Sequence, residues 1–342
     1  MRYKFLMLLM LLPILSHAEW MSEVDQKYQA RDPALYAIVL KNKKIIDKNH
    51  ENKPVLTEVD HELQSFIMDH PDFAPAYVQK ARVNLDLNKG AGDDYDGAAF
   101  SLGEMSLRHA RILEPHYDYA LVMMGFINLM HQDYQEAEDF YQQAIDLHSG
   151  YPYLYLQMAK IAYRRGESAK QISELKMGLE QNKADPVVMQ TYLDALMYAY
   201  YGSFPPPVAE VEVLTKMSQT LPGADPAKGA YYQGYLELYF KGDVAKAIQY
   251  GERSLALGNF GENQYFLAAA YYIQWAKLVR NQSQSAKVAF KKAEALMPLQ
   301  EMMIDQLSIY GHGHYKDIRE VLLTKLASQE PYISDHTSII RQ

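Results

Sequence analysis

A helical hairpin that returns after 34 residues constrains this chain more than any other feature. Within Asp118–Asp146, apolar residues recur at Leu121, Met124, Phe126 and Ile127, which is helical spacing. A polar break follows at His131–Asp133, and a second periodic run carries Ala137, Tyr141, Ala144 and Ile145. Gly125, Ala137 and Ala144 fall where two helices must approach closely, because a bulky side chain there would push the axes apart. Moving forward by 34 residues, Gly125 becomes Ala159, Leu121 becomes Tyr155, Met124 becomes Met158 and Ala144 becomes Gly178. Moving back by 34, Ala137 lands on Gly103, Ala144 on Ala110 and Ser149 on Pro115.

A 34-residue period with small residues at fixed places resembles the tetratricopeptide repeat (TPR) family. The clearest units are 118–151 and 152–185, with second halves of further units at Gly103–Pro115 and Ala286–Pro298. In the last of these, Phe290, Ala293 and Pro298 stand where the family has its aromatic, its Ala and its helix-ending Pro. Asn128 and Gln171 depart from the family's usual Tyr and Ala. The resemblance implies an all-α, right-handed superhelical solenoid of antiparallel hairpins with degenerate terminal caps.

The chain opens with Arg2 and Lys4, an apolar run Phe5–Leu15, and the small-residue site Ser16-His17-Ala18. That pattern predicts a cleaved secretory signal peptide over 1–18, too short to span a bilayer. Glu19–Arg31 reads as polar and loose. Asp32-Pro33 reads as a helix start, with Asp as cap and Pro in the first turn, running to about Asp47. Thr57 opens the next helix, and Pro75–Leu87 another. Asn88–Gly97 reads as an acidic surface loop in place of a calcium site, since Gly92 and Gly103 stand where the first and last ligands would be. Asp185-Pro186 starts a further hairpin. The run Ser203-Phe204-Pro205-Pro206-Pro207 cannot continue a helix and marks a seam. We therefore expect repeat sub-arrays at 19–204 and 205–328 and a tail at 329–342. In the later array, the small residues Gly234 and Ala247 are spaced one residue off the family pattern.

A net charge of −8 without basic clusters argues against nucleic acid and anionic membranes as partners. There is no Cys, which excludes disulfides, thiol catalysis, Cys-based metal sites and a bacterial lipid anchor. With the opening signal-peptide pattern, the sequence predicts an exported location, periplasmic or secreted, with no transmembrane segment in the mature chain. Tyr is abundant, 28 residues against 2 Trp, beyond what gap-filling between helices requires.

No catalytic motif is present: no H-E-x-x-H, G-x-S-x-G, Walker or Rossmann pattern. His312 and His314 lack further ordered ligands nearby and read as part of a helix-breaking linker. No cofactor and no metal is implied. The resemblance implies instead a groove lined by the first helix of each hairpin, binding a protein or peptide of the cell envelope. Carried over by alignment, its residues are Arg82, Asp86, Tyr119, Phe126, Met130, Lys160, Tyr163, Arg164, Asp194 and Tyr198. Two other readings stay open: a glycan-active enzyme on an α/α toroid, and a carrier holding a lipid or small ligand inside the superhelix.

Overall fold

The computed structural model describes residues 20–90, 97–181, 185–201, 208–281, 283, 285–299, 301 and 319–327. The segment 1–18, most of the Asn88–Gly97 loop, the proline run and His312/His314 lie outside them. Every regular element among the described residues is helical. The chain divides into two compact units, Met1–Lys183 and Ala184–Gln342.

The first unit contains α1 (Glu23–Arg31), α2 (Pro33–Ile46), α3 (Lys53–Asp69), α4 (Ala74–Leu87), α5 (Gly97–Leu113), α6 (Asp118–Met130), α7 (Tyr134–Asp146), α8 (Leu154–Arg164) and α9 (Ser168–Gln181). Pairs α4/α5, α6/α7 and α8/α9 are hairpins, their first helices α4, α6 and α8 touch one after the next, and α2 packs against α4. That is the packing of an all-α solenoid.

Local chemistry sets the helix ends. Asp32 Oδ1 accepts from the Leu35 N–H at 3.0 Å, with Pro33 behind it, and Asp133 caps α7 through the Glu136 N–H. At the turns inside the α6/α7 and α8/α9 hairpins, Gln132 and Gly166 take φ of 64° and 75°. The next N–H groups, of Asp133 and Glu167, donate back to Asn128 O at 2.9 Å and Ala162 O at 2.8 Å, closing the helix ends. The 34-residue period is thus written in the backbone as well as in the side chains.

Between α6 and α7, a Cβ added at Gly125 would lie 2.6 Å from the ring of Tyr141, so only glycine lets that phenol seat. Ala137 and Ala144 are fully buried. The hydroxyl of Ser149, which stands in the family's proline position, donates to Asp118 Oδ2 at 2.7 Å and ties the end of the hairpin to its start. Ile46, Leu56, Val59, Leu63 and Val83 join α2, α3 and α4 in one apolar cluster.

Two expectations are corrected here. Residues 23–31 form a helix and are not loose: Ser22 Oγ accepts from the Asp25 N–H at 2.9 Å, and Val24 and Tyr28 are buried. The third helix begins at Lys53, capped by Asn52. Thr57 lies inside it, its hydroxyl donating to Lys53 O at 2.9 Å.

The second unit contains α10 (Pro186–Tyr201), α11 (Val208–Thr220), α12 (Pro226–Tyr235), α13 (Val244–Leu257), α14 (Glu262–Arg280), α15 (Ala286–Leu296) and α16 (Arg319–Ala327). Asp185 caps α10 through the N–H groups of Val187 and Val188. A π-helical turn, Leu236–Phe240, continues α12. It accounts for the odd spacing of Gly234 and Ala247. The wider turn absorbs the extra residue, and the Asp243 N–H reaches Glu237 O, one residue further back than the matching bond in the α6/α7 turn. Gly234 keeps its close approach, where a Cβ would stand 2.8 Å from Phe266 and 3.3 Å from Ala247 O.

Candidate functional site

The first-helix row of the first unit begins at α4. Arg82 is 1% exposed, with Nη2 donating to Asp47 Oδ1 at 2.5 Å and Nη1 to Gln79 Oε1 at 2.8 Å. Asp86 is buried and pairs with His50 Nδ1 at 2.9 Å. These two predicted groove residues bind the end of α2 and the loop after it to α4. Removing either partner of such a buried pair would leave an uncompensated buried charge.

On α6, Tyr119 and Phe126 are buried and Met130 is half-buried. Burial pushes the Tyr119 phenol up to about 12, against the opposing pull of Arg82. On α8, Lys160 is buried, Tyr163 is half-buried and Arg164 is exposed. Solvent therefore reaches the predicted set chiefly at the C-terminal ends of α6 and α8.

In the second unit, Asp194 on α10 is half-buried and accepts from the Tyr232 hydroxyl at 2.9 Å. Burial raises its carboxyl to about 6, partly offset by Lys228 and by the Tyr232 bond. The backbone of Tyr198 lies in α10, and its side chain is outside the described residues.

The sequence reading missed several residues of the row. Gln157, on α8, is 1% exposed, yet neither its amide oxygen nor its amide nitrogen has a hydrogen-bond partner. Gln157, Lys160 and Arg164 follow one another on one helix face. Trp20, Lys43, Gly150 and Tyr151 gather at the opposite end of the row. The Trp20 ring meets Tyr119 and Tyr151 edge-on, each at 5.1 Å between centroids. A scarce Trp beside a polar helix start was the available signal for that cluster. Among the described residues, no group of three or more His, Asp or Glu is placed to hold a metal. Nor is any helix among them long and apolar enough to cross a membrane.

No family model matches the sequence, and no curated protein matches it. Solved structures do. PilF of Pseudomonas aeruginosa superposes with a TM-score of 0.52 at 16% identity, over 68% of this chain and 96% of that one. YrrB, described as a TPR protein with an unusual peptide-binding site, superposes at 0.43 and 14% identity, over 59% and 94%. A tetratricopeptide repeat protein from Parabacteroides merdae does so at 0.42 and 15%, over 72% and 90%. The fold is the tetratricopeptide-repeat fold. The TPR hairpins give the row its order: each first helix presents its face beside the next, and the second helices α5, α7 and α9 stand behind.

Proposed function

We propose that this chain is a non-enzymatic interaction scaffold of the bacterial envelope, holding an extended stretch of a partner protein along the first helices of its TPR hairpins. The observation that carries this reading is the face of α8. There a closed-off carboxamide with both polar atoms unpaired, Gln157, leads through Lys160 to an exposed Arg164. A buried amide left unpaired costs about 1–3 kcal/mol, which a folded chain retains where something else satisfies it. Binding must first open the cover over Gln157; the peptide backbone then offers that amide both a donor and an acceptor, and Arg164 offers a charge at the open end. Met130 and Tyr163 add apolar contact beside it. The envelope location rests on the opening residues Arg2 to Ala18.

The test pairs two variants, each read by capture of envelope proteins and by thermal melt. Gln157→Leu removes the unpaired amide, so its melt should equal or exceed that of the parent, while capture falls about tenfold, or ~1.4 kcal/mol. Arg164→Ala should leave the melt within ~0.5 kcal/mol, as surface changes do, and also weaken capture. Undiminished capture by both variants would remove the first-helix row as the partner surface.

A further inference from the structure

The geometry points to a seat for an aromatic side chain of an extended peptide, built from Tyr119, Tyr151, Gly150 and Lys43, and held in cis by the chain's own Trp20. This deepens the scaffold reading and rests on it, since it places a second ligand position on the same row of first helices.

Trp20 is half-buried, while Tyr119 and Tyr151 beneath it are each 3% exposed. The two phenol rings stack on each other at 6.1 Å and 24°, and the indole stands across both at 83° and 81°. Edge-to-face contact with two rings at once selects an aromatic occupant, because the ring faces are negative and the ring edges positive. Lys43 Nζ donates to the Trp20 carbonyl at 2.9 Å. That bond goes to main chain, so any extended peptide could make it.

Gly150 supplies an independent sign of fit. A Cβ there would lie 3.3 Å from the indole Nε1. Its backbone does not require glycine, for it is absent from the residues with positive φ. The close pass of the indole is the reason the structure offers for glycine at this place.

Apart from its two ring contacts, Trp20 has among the described residues the one bond from Lys43, and the helix that follows is held largely by polar contacts. That helix, α1, buries only Val24, Asp25 and Tyr28. Asp25 accepts from the Tyr117 hydroxyl at 3.0 Å, Lys27 pairs with Glu114 at 2.6 Å, and Tyr28 donates to Asp72 O at 3.1 Å. Val24 and Tyr28 are the helix's only buried apolar anchors, and a segment with few such anchors is among the first to open. Trp20 can therefore leave the seat and return to it, competing with a partner's aromatic residue at the high effective concentration of a short tether.

The probe is the acetylated, amidated tetrapeptide Glu-Trp-Met-Ser, which reproduces residues 19–22. It is titrated by calorimetry into the full chain and its Trp20→Ala variant. Emptying the seat should tighten probe binding at least about tenfold, because competition in cis lowers apparent affinity by the open fraction. The same peptide with Ala for Trp should not bind, and adding Tyr119→Leu to the Trp20→Ala chain should abolish binding. Equal binding by the parent and the Trp20→Ala variant would overturn the seat. So would a collapsed melt of Trp20→Ala, followed by far-ultraviolet circular dichroism, since the indole would then be a core residue. Should the probe fail while Gln157→Leu still loses partner, the seat falls and the scaffold stands. Should the probe bind while Gln157→Leu and Arg164→Ala capture normally, the scaffold reading falls.

Discussion

At the scale of single residues, three tyrosines of the second unit are explained by what their hydroxyls reach. Tyr272 donates to Glu294 at 2.8 Å, Tyr192 to Glu210 at 2.7 Å, and Tyr232 to Asp194 at 2.9 Å, each bond crossing from one helix to another. A phenol fills the gap between helices and fastens its far end, which a Phe cannot do. The Asp194 bond carries a pH signature. Its carboxyl is raised from 3.8 to about 6 by burial, so the folded state favours the protonated form. Stability from this group is fully present below about 3.8 and is lost as pH rises through about 6. Asp194→Asn keeps an acceptor for Tyr232 and has no charge to bury. It should melt higher than the parent at pH 7.5, with the gap closing by pH 4, as followed by circular dichroism across that range. A constant gap at all pH values would show that the carboxyl is not the cause. Residues whose partners are close in sequence were legible beforehand: Asp32-Pro33 and Asp185-Pro186 cap helices because cap chemistry is local. The Trp20 seat was not, because nothing near Trp20 in the chain announces Tyr119 or Tyr151.

At the scale of elements, the small residues decide how closely two helices approach. Ala144 is fully exposed to its partner helix and closed to solvent, whereas Ala209, in α11, faces solvent. Ala144→Trp should therefore overpack the α6/α7 hairpin and lose ~1–3 kcal/mol. Ala209→Trp should stay within ~0.5 kcal/mol of the parent in denaturant titration. Equal midpoints for the two would show that the 34-residue register misplaces the contact. The hairpins were readable because that register depends on size alone: Gly125 yields to Tyr141, and Gly234 to Phe266. The π turn at Leu236–Phe240 was visible only as a spacing error between Gly234 and Ala247. A sequence shows that one residue is extra, but whether a loop or a helix absorbs it depends on packing. Burial within the first-helix row was equally hidden. Alignment puts Arg82 and Phe126 on the groove side of their helices, yet Arg82 is consumed by Asp47 and Gln79, and Phe126 is buried.

At the scale of the molecule, the first compact unit carries its own means of closing off an end. In a solenoid every repeat leans on its neighbours, so stability is close to a sum of repeat and interface contributions, and an unclosed end frays. The first unit begins with α1 and α2 instead of a regular repeat. Their residues reach well along the unit: Tyr28 to Asp72, Lys27 to Glu114, Asp25 to Tyr117 and Trp20 to Tyr151. The apolar cluster of α2, α3 and α4 anchors the same end. These contacts lie wholly inside Met1–Lys183. A fragment of residues 19–183 should therefore fold alone, with a helical far-ultraviolet spectrum and a cooperative urea transition. It holds Trp20 as its single Trp, since Trp275 lies in the other unit, so its emission reports the seat directly. Emission should shift to the red at the same urea concentration at which helix is lost, if the end closure and the repeats melt together. An earlier red shift would mean that Trp20 leaves its seat while the hairpins persist, which is the behaviour a tethered competitor needs. A fragment without cooperative unfolding would show that the first unit depends on the second, and that closure by α1 and α2 is not enough to sustain the array.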